Sequence, residues 1–172
     1  MDRLAAEAEM MPRVDAIWRA PLFQHELARI AVFERGRRFC HHDLAHLLDV
    51  ARLSWIRILE EGVSIPCDLV YAVALLHDIG RAEQYETGEP HDVAGERIAT
   101  EILAALPGQA CFNEDEQRRI RSAVRAHRSH AVQDPLARVI AWADKASRPC
   151  FACPAASDCN WSLEKRNLNV RI

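Results

Sequence analysis

Six residues of this 172-residue chain have the chemistry of metal ligands and fall, one or two at a time, where apolar helical stripes begin or end: His46, His77 with Asp78, His91, His127 and Asp144. The densest stretch is Leu75-Leu76-His77-Asp78-Ile79-Gly80, where an apolar run from Leu69, broken only by Tyr71, delivers an imidazole and a carboxylate side by side. Burying both is costly unless something compensates, and a metal ion would compensate. Taken alone, the hexapeptide also reads as a helix end, with His77 capping its helix, Asp78 opening a turn and Gly80 stopping the helix. Repetition over five segments favours a shared site, because none of these helices needs a buried polar group to pack. Five or six nitrogen and oxygen ligands without thiolate suit Mn, Fe, Co, Ni, Zn or Mg, as one ion or two, rather than a closed structural zinc. Such an ion lowers the pKa of bound water from about 15.7 toward roughly 7.

The elements that must position these residues read as helices. Apolar residues recur at helical spacing, Gly and Pro punctuate the pattern, and no alternating run has strand composition. The expected fold is all-α, one domain over residues 1–172 with about six to seven helices. Residues 1–37 form a helical cover, about 38–147 the core, and 148–172 a cysteine-containing tail. In the cover, His25 stands alone and reads as structural. The next segment opens with Cys40-His41-His42-Asp43 and runs as a helix to Glu61, stopped by Gly62. His42 and His46 are four apart and would share a face, which continues through Val50 (or Asp49) and Leu53. Residues 81–90 read as a short polar loop. His91 opens the inward stripe of a helix over 91–106, where Gly95 costs about 1 kcal/mol against Ala and suggests close approach of another backbone or a ligand, or simple packing. The helix from Asn113 to about His127 presents Ile120, Val124 and His127 inward. Its basic stripe of Arg118, Arg121, Arg125 and Arg128 is either a solvated face or an attractor for an anionic substrate. Asp144 lies on the inner side of the last helix, and the directions of His41 and His130 are open.

Composition narrows the class. A hydrophobic fraction of 49% with 27% charged residues reads as globular, and a formal net charge of −3 argues against a general binder of duplex nucleic acid. The first residues, MDRLAAEAEMM, lack a signal-peptide core, and no apolar run approaches the roughly 18 residues of a spanning helix. The expectation is a cytoplasmic protein without membrane partners. In a reducing compartment the six cysteines are thiols or metal ligands rather than disulfides. Cys150-x2-Cys153-x5-Cys159 carries half of a zinc-type spacing. It reads as an accessory zinc site, as an iron–sulfur site, or as ordinary reduced thiols; a fourth ligand would come from Cys40, Cys67, Cys111, a His, an Asp or an exogenous group.

The order His, then His-Asp, then Asp resembles the HD-domain metal-dependent phosphohydrolases. Here it is HLLDVA at 46–51, LLHDIG at 75–80 and IAWADKAS at 140–147. The resemblance implies an HD helical bundle with His46, His77, Asp78 and Asp144 as the core metal site. His91 and His127 resemble the extra histidines of two-metal members, with Asp78 bridging. It implies hydrolysis of a phosphate ester or anhydride in a small substrate, a nucleotide by preference. Asp78 would orient the attacking water, and His42, a pocket residue or auxiliary ligand, would give a proton to the leaving oxygen or act as a plain hydrogen-bond donor. Arg81, standing where many members have Lys, would hold phosphate together with Lys145, Arg125 and Arg128. The alternatives are a nucleotide sensor without turnover and a di-iron oxygenase of HD type. A homodimer is left open.

Overall fold

The computed structural model describes residues 11–129 and 133–170. It is all-α, with no strand among the described residues. Eight α-helices follow in order: α1 (Pro12–Arg19), α2 (Pro21–Phe33), α3 (Leu44–Glu61), α4 (Cys67–Leu76), α5 (Arg81–Thr87), α6 (His91–Ala104), α7 (Glu114–Ala126) and α8 (Pro135–Ala146). After α8 the described residues make only two 3-10 turns, Cys150–Ala152 and Ala156–Asp158. No described helix is long and apolar enough to cross a membrane.

α4 is the axis of the bundle. Seven of its ten residues, Leu69, Val70 and Ala72–Leu76, are buried, so it has no solvent face and packs against α1, α3, α7 and α8. A helix apolar all round belongs inside a core. Its neighbours start and stop through local chemistry. Asp43 caps α3 by accepting from the His46 N–H at 3.0 Å, and Gly62 ends it at φ 64°. Asn113 and Glu116 form a reciprocal capping box at α7, and Asp134 caps α8.

Two expectations are corrected here. Residues 81–90 are not a loop throughout, because Arg81–Thr87 forms α5, packed on α2 and α6. Gly80 does not stop a helix. α4 ends at Leu76, the chain turns through 77–80, and Gly80 has φ −82°. It is needed because a Cβ there would collide with His91 O and would sit 2.5 Å from Gly95 N. The His77-Asp78 turn therefore lies directly on the first turn of α6, and Gly95 is the other half of that close approach.

Candidate metal centre

Burial concentrates chemistry at one end of α4. His77, Asp78, His91 and His127 are 2% exposed or less, and the Asp144 side chain, at 13%, is the most open of the six. Each imidazole is gripped from behind. His77 Nδ1 lies 2.7 Å from Ala74 O, and His127 Nδ1 lies 2.6 Å from Val124 O. His91 Nδ1 is 2.5 Å from Gln84 Oε1, and His46 Nδ1 is 3.2 Å from Ser147 Oγ, which itself donates to Asp144 O at 2.9 Å. Carbonyl oxygens only accept, so the Nδ1 of His77, His127 and His91 carries the proton. The Nε2 of His91 and of His127 then presents its lone pair to the interior, and that of His77 does so once its second proton is lost. Backing of this kind fixes tautomer and direction in metal-binding histidines.

The Nε2 atoms sort around Asp78. On the Oδ2 side, His46 Nε2 is 3.5 Å and His77 Nε2 3.2 Å away, and Asp144 Oδ1 joins them at 3.4 Å from His46 Nε2. On the Oδ1 side stand His91 Nε2 at 3.3 Å and His127 Nε2 at 3.8 Å. Each set brings its ligand atoms within 4.8 Å of one another. His77 Nε2, Asp78 Oδ2 and Asp144 Oδ1 are buried without a hydrogen-bond partner, and unpaired buried groups of this type are expensive. His91 Nε2 and His127 Nε2 face each other at 3.1 Å, an arrangement of two lone pairs that a cation between them would relieve. The donor set fits divalent metal.

Electrostatics distinguish the rings. Burial opposes charge on His77, but the Asp78 and Asp144 carboxylates prevail and push it up to about 10. Burial pushes His91 down to about 2 against the pull of Asp78, and burial with His77 nearby pushes His127 down to about 4. Asp78 itself stays well below the usual carboxylate range: burial works against ionisation, and Arg81 and His77 overcome it.

His42 is not half of a two-histidine helix face. It precedes the Asp43 cap, outside α3, and its Nε2 lies 3.9 Å from Asp78 Oδ2. Its Nδ1 binds Glu34 Oε1, whose carboxylate also accepts from Tyr85 Oη at 2.6 Å and from the His42 N–H at 2.8 Å. Glu34 is held down to about 2, burial being outweighed by His42 and Tyr85. The His42 proton therefore sits on Nδ1, so Nε2 is an acceptor and not the plain hydrogen-bond donor that is one of the two roles expected from sequence.

Among the expected phosphate-binding residues, Arg81 lies beside the ligands, its Nε 2.9 Å from Asp78 Oδ1. Lys145 is not. Its Nζ donates to Ala141 O at 2.8 Å, and the hollow it lines, with Trp142, Glu164 and Lys165, holds none of the six ligands. Arg125 and Arg128 are both committed to Asp92, the latter at 3.1 Å. His25 is exposed rather than structural, and the half-exposed His41 binds Arg37 O through Nε2 at 3.1 Å. His130 lies outside the described residues. Cys150, Cys153 and Cys159 lie in the tail and line a cavity with His42, Arg81 and Arg148.

Two residues at the site were not anticipated. Glu34 is one. Arg148 is the other: 4% exposed, its Nη2 sits 2.8 Å from His46 Nε2 and 3.6 Å from Asp144 Oδ1, and its Nη1 reaches His41 O at 2.5 Å.

The HD domain family model matches residues 43–148. An uncharacterized protein of Clostridium beijerinckii is 36% identical over 160 residues, covering 93% of this chain and 99% of that one. A crystal structure of a predicted HD superfamily hydrolase from an uncultured Thermotogales bacterium superimposes with a TM-score of 0.58 over 88% of this chain and 84% of its own, at 20% identity, a likeness of fold. With the His-Asp constellation inside the matched span, this chain belongs to the HD domain family.

Proposed function

We propose that the protein is a metal-dependent phosphohydrolase that takes two divalent ions and cleaves a phosphate ester or anhydride, with a nucleotide as substrate. One observation carries the reading: the two oxygens of Asp78 face separate sets of ligand atoms, His46, His77 and Asp144 on one side and His91 and His127 on the other. Bound there, the ions would supply a water acidified into the neutral pH range and a counter-charge for phosphoryl oxygens. The chain's own groups would do the rest. His42 Nε2, with Glu34 behind Nδ1, accepts a proton from the attacking water and can return it to the leaving oxygen. Arg81 and Arg148 line one cavity with His42 and each also faces a ligand carboxylate, Arg81 that of Asp78 and Arg148 that of Asp144, where guanidinium groups suit phosphate. The cavity they line measures about 330 Å³, enough for a small phosphorylated compound, and Phe39 and Trp161 offer it aromatic faces that would suit a base.

The test is turnover by metal-stripped protein reloaded with Mn, Fe, Co, Ni, Zn or Mg against a panel of nucleoside mono-, di- and polyphosphates, with products resolved by chromatography. Phosphate or nucleotide release that needs the metal and disappears in His42→Gln supports the reading. Metal-loaded protein that turns over nothing overturns it. Tight nucleotide binding without turnover would mark a sensor, and oxygen uptake by iron-loaded protein an oxygenase.

A further inference from the structure

We propose that Cys40, Cys150, Cys153 and Cys159 form a four-thiolate metal site, holding an iron–sulfur cluster in the wall of the cavity that His42, Arg81 and Arg148 also line.

Cys40 lies before α3, and the other three lie beyond α8, yet the fold brings all four to the lining of one cavity. The remaining two cysteines are elsewhere: Cys67 opens α4, and Cys111 places its thiol 3.3 Å from Leu106 O. The four thiols are half-buried and none is in a disulfide. Burial pushes the Cys40 thiol up against the pull of Arg148, and Cys150 and Cys153 lie close enough to push the same way. Arg37, Arg148 and Arg166 line the same cavity, where their charge would offset that of metal-bound thiolates.

The tail is shaped as if around something. It has no long helix and little apolar burial, and Phe151 and Leu163 are exposed at 48% and 69%. Even so it is folded back tightly. The Cys153 N–H donates to Cys150 O at 3.3 Å. The Arg166 guanidinium gathers Ala156 O, Cys159 O and Trp161 O at 2.9, 2.6 and 2.9 Å. Asn167 Nδ2 ties the tail to Ala146 O and Arg148 O at 2.8 and 3.0 Å. A segment without a core of its own is the kind that a metal centre stabilises.

Spacing selects the occupant. Tetrahedral zinc with bonds of about 2.3 Å holds its sulfurs about 3.8 Å apart. Among the described residues, the only groups of three or more ligand atoms within 4.8 Å are the two His-Asp sets, so no three of these sulfurs approach that closely. In a cubane cluster each thiolate binds a different iron, which spreads the sulfurs further, and the cavity is wider than one ion needs. The site also reaches the other centre. Only Pro149 separates Cys150 from Arg148, whose Nη2 touches His46 Nε2, so the cluster would anchor the guanidinium at the mouth of the cavity.

The experiment measures iron, zinc and acid-labile sulfide per chain, with visible absorption, in full-length protein made and purified without oxygen. Its sulfide readout does not depend on turnover, so it stands or falls apart from the phosphohydrolase reading. The expected result is sulfide matched by iron, with sulfur-to-iron charge-transfer bands. Cys40→Ser and Cys153→Ser lose sulfide and colour while far-UV circular dichroism keeps its helical signal. Cys67→Ser and Cys111→Ser keep both, and His77→Ala loses metal without losing sulfide. Absence of sulfide together with unchanged metal content in Cys40→Ser overturns the site. One zinc per chain, lost in the same two variants, keeps the four-thiolate site and overturns the cluster.

Discussion

The two sides of Asp78 are built differently. The Oδ2 side draws on α3, the end of α4 and α8, and adds a second carboxylate, Asp144, to His46 and His77. The Oδ1 side, from α6 and the end of α7, has His91 and His127 and only a share of Asp78 for charge, and that oxygen is already 2.9 Å from Arg81 Nε. Cation affinity follows ligand charge and number. The first set should therefore hold its ion more tightly, and the second should leave more positions for water and substrate. Protonation works against that difference in affinity. His77, held up to about 10, keeps a competing proton where a metal would bind, whereas His91 and His127, at about 2 and about 4, offer bare lone pairs at any working pH.

Asp78→Asn should do the most damage, because one substitution removes charge from both sets. Turnover should fall about a thousandfold or more, and metal content should drop below one ion per chain by elemental analysis. Loss of a single ion would mean that the carboxylate serves only one side. Next come His77→Ala and His127→Ala, each expected to lower turnover roughly a hundredfold. They should part on metal content: His127→Ala retains one tightly held ion, while His77→Ala retains only the weaker one. The reverse order of affinities would overturn the comparison. Smaller again are the supports behind the rings. Gln84→Ala frees His91 and Ser147→Ala frees His46, so each should weaken one ion about 10- to 100-fold and leave the other alone, as stepwise calorimetric titration would resolve.

Which of these parts could be read from sequence depends on how local their causes are. The six ligands stand at the ends or on the inner faces of helices whose caps and apolar stripes are written in consecutive residues, as at Asp43 with α3 and Asn113 with α7. Their helices were legible for that reason. α5 was not, because its seven residues, RAEQYET, bury only Ala82 and make no stripe. With α5 unseen, the roles of Gln84 behind His91 and Tyr85 beside Glu34 were out of view too. Glu34 joins His42 only because α2 ends against the segment leading into α3, a tertiary fact with no spacing rule. Arg125 and Arg128 looked free because Asp92, their partner, is on α6, 33 and 36 residues away. Lys145 carries its charge back to the carbonyl of Ala141, one turn earlier, which no pattern of residue types foretells. Arg148 sits just past α8 before a proline, and a chain read as a loose tail gives no reason to turn it inward.

The subtlest difference between the two sides should be in how each ion responds to pH. In metal-free protein His77 carries a proton at neutral pH, because its carboxylate neighbours outweigh burial and hold its pKa near 10. An ion entering the first set must displace that proton. Below pH 10, raising the pH removes the competitor, so affinity for the first ion should climb about tenfold per unit. Above pH 10 the gain should stop. His91 and His127 are already neutral above pH 4, so nothing on their rings is displaced and the second affinity should stay flat across the same range. Stepwise titration against a competing chelator at pH 6.5, 7.5 and 8.5 reads both slopes, with release of about one proton for the first ion and none for the second. Equal slopes would mean that His77 is neutral before metal arrives, and the charge asymmetry around Asp78 would then have to rest on Asp144 alone.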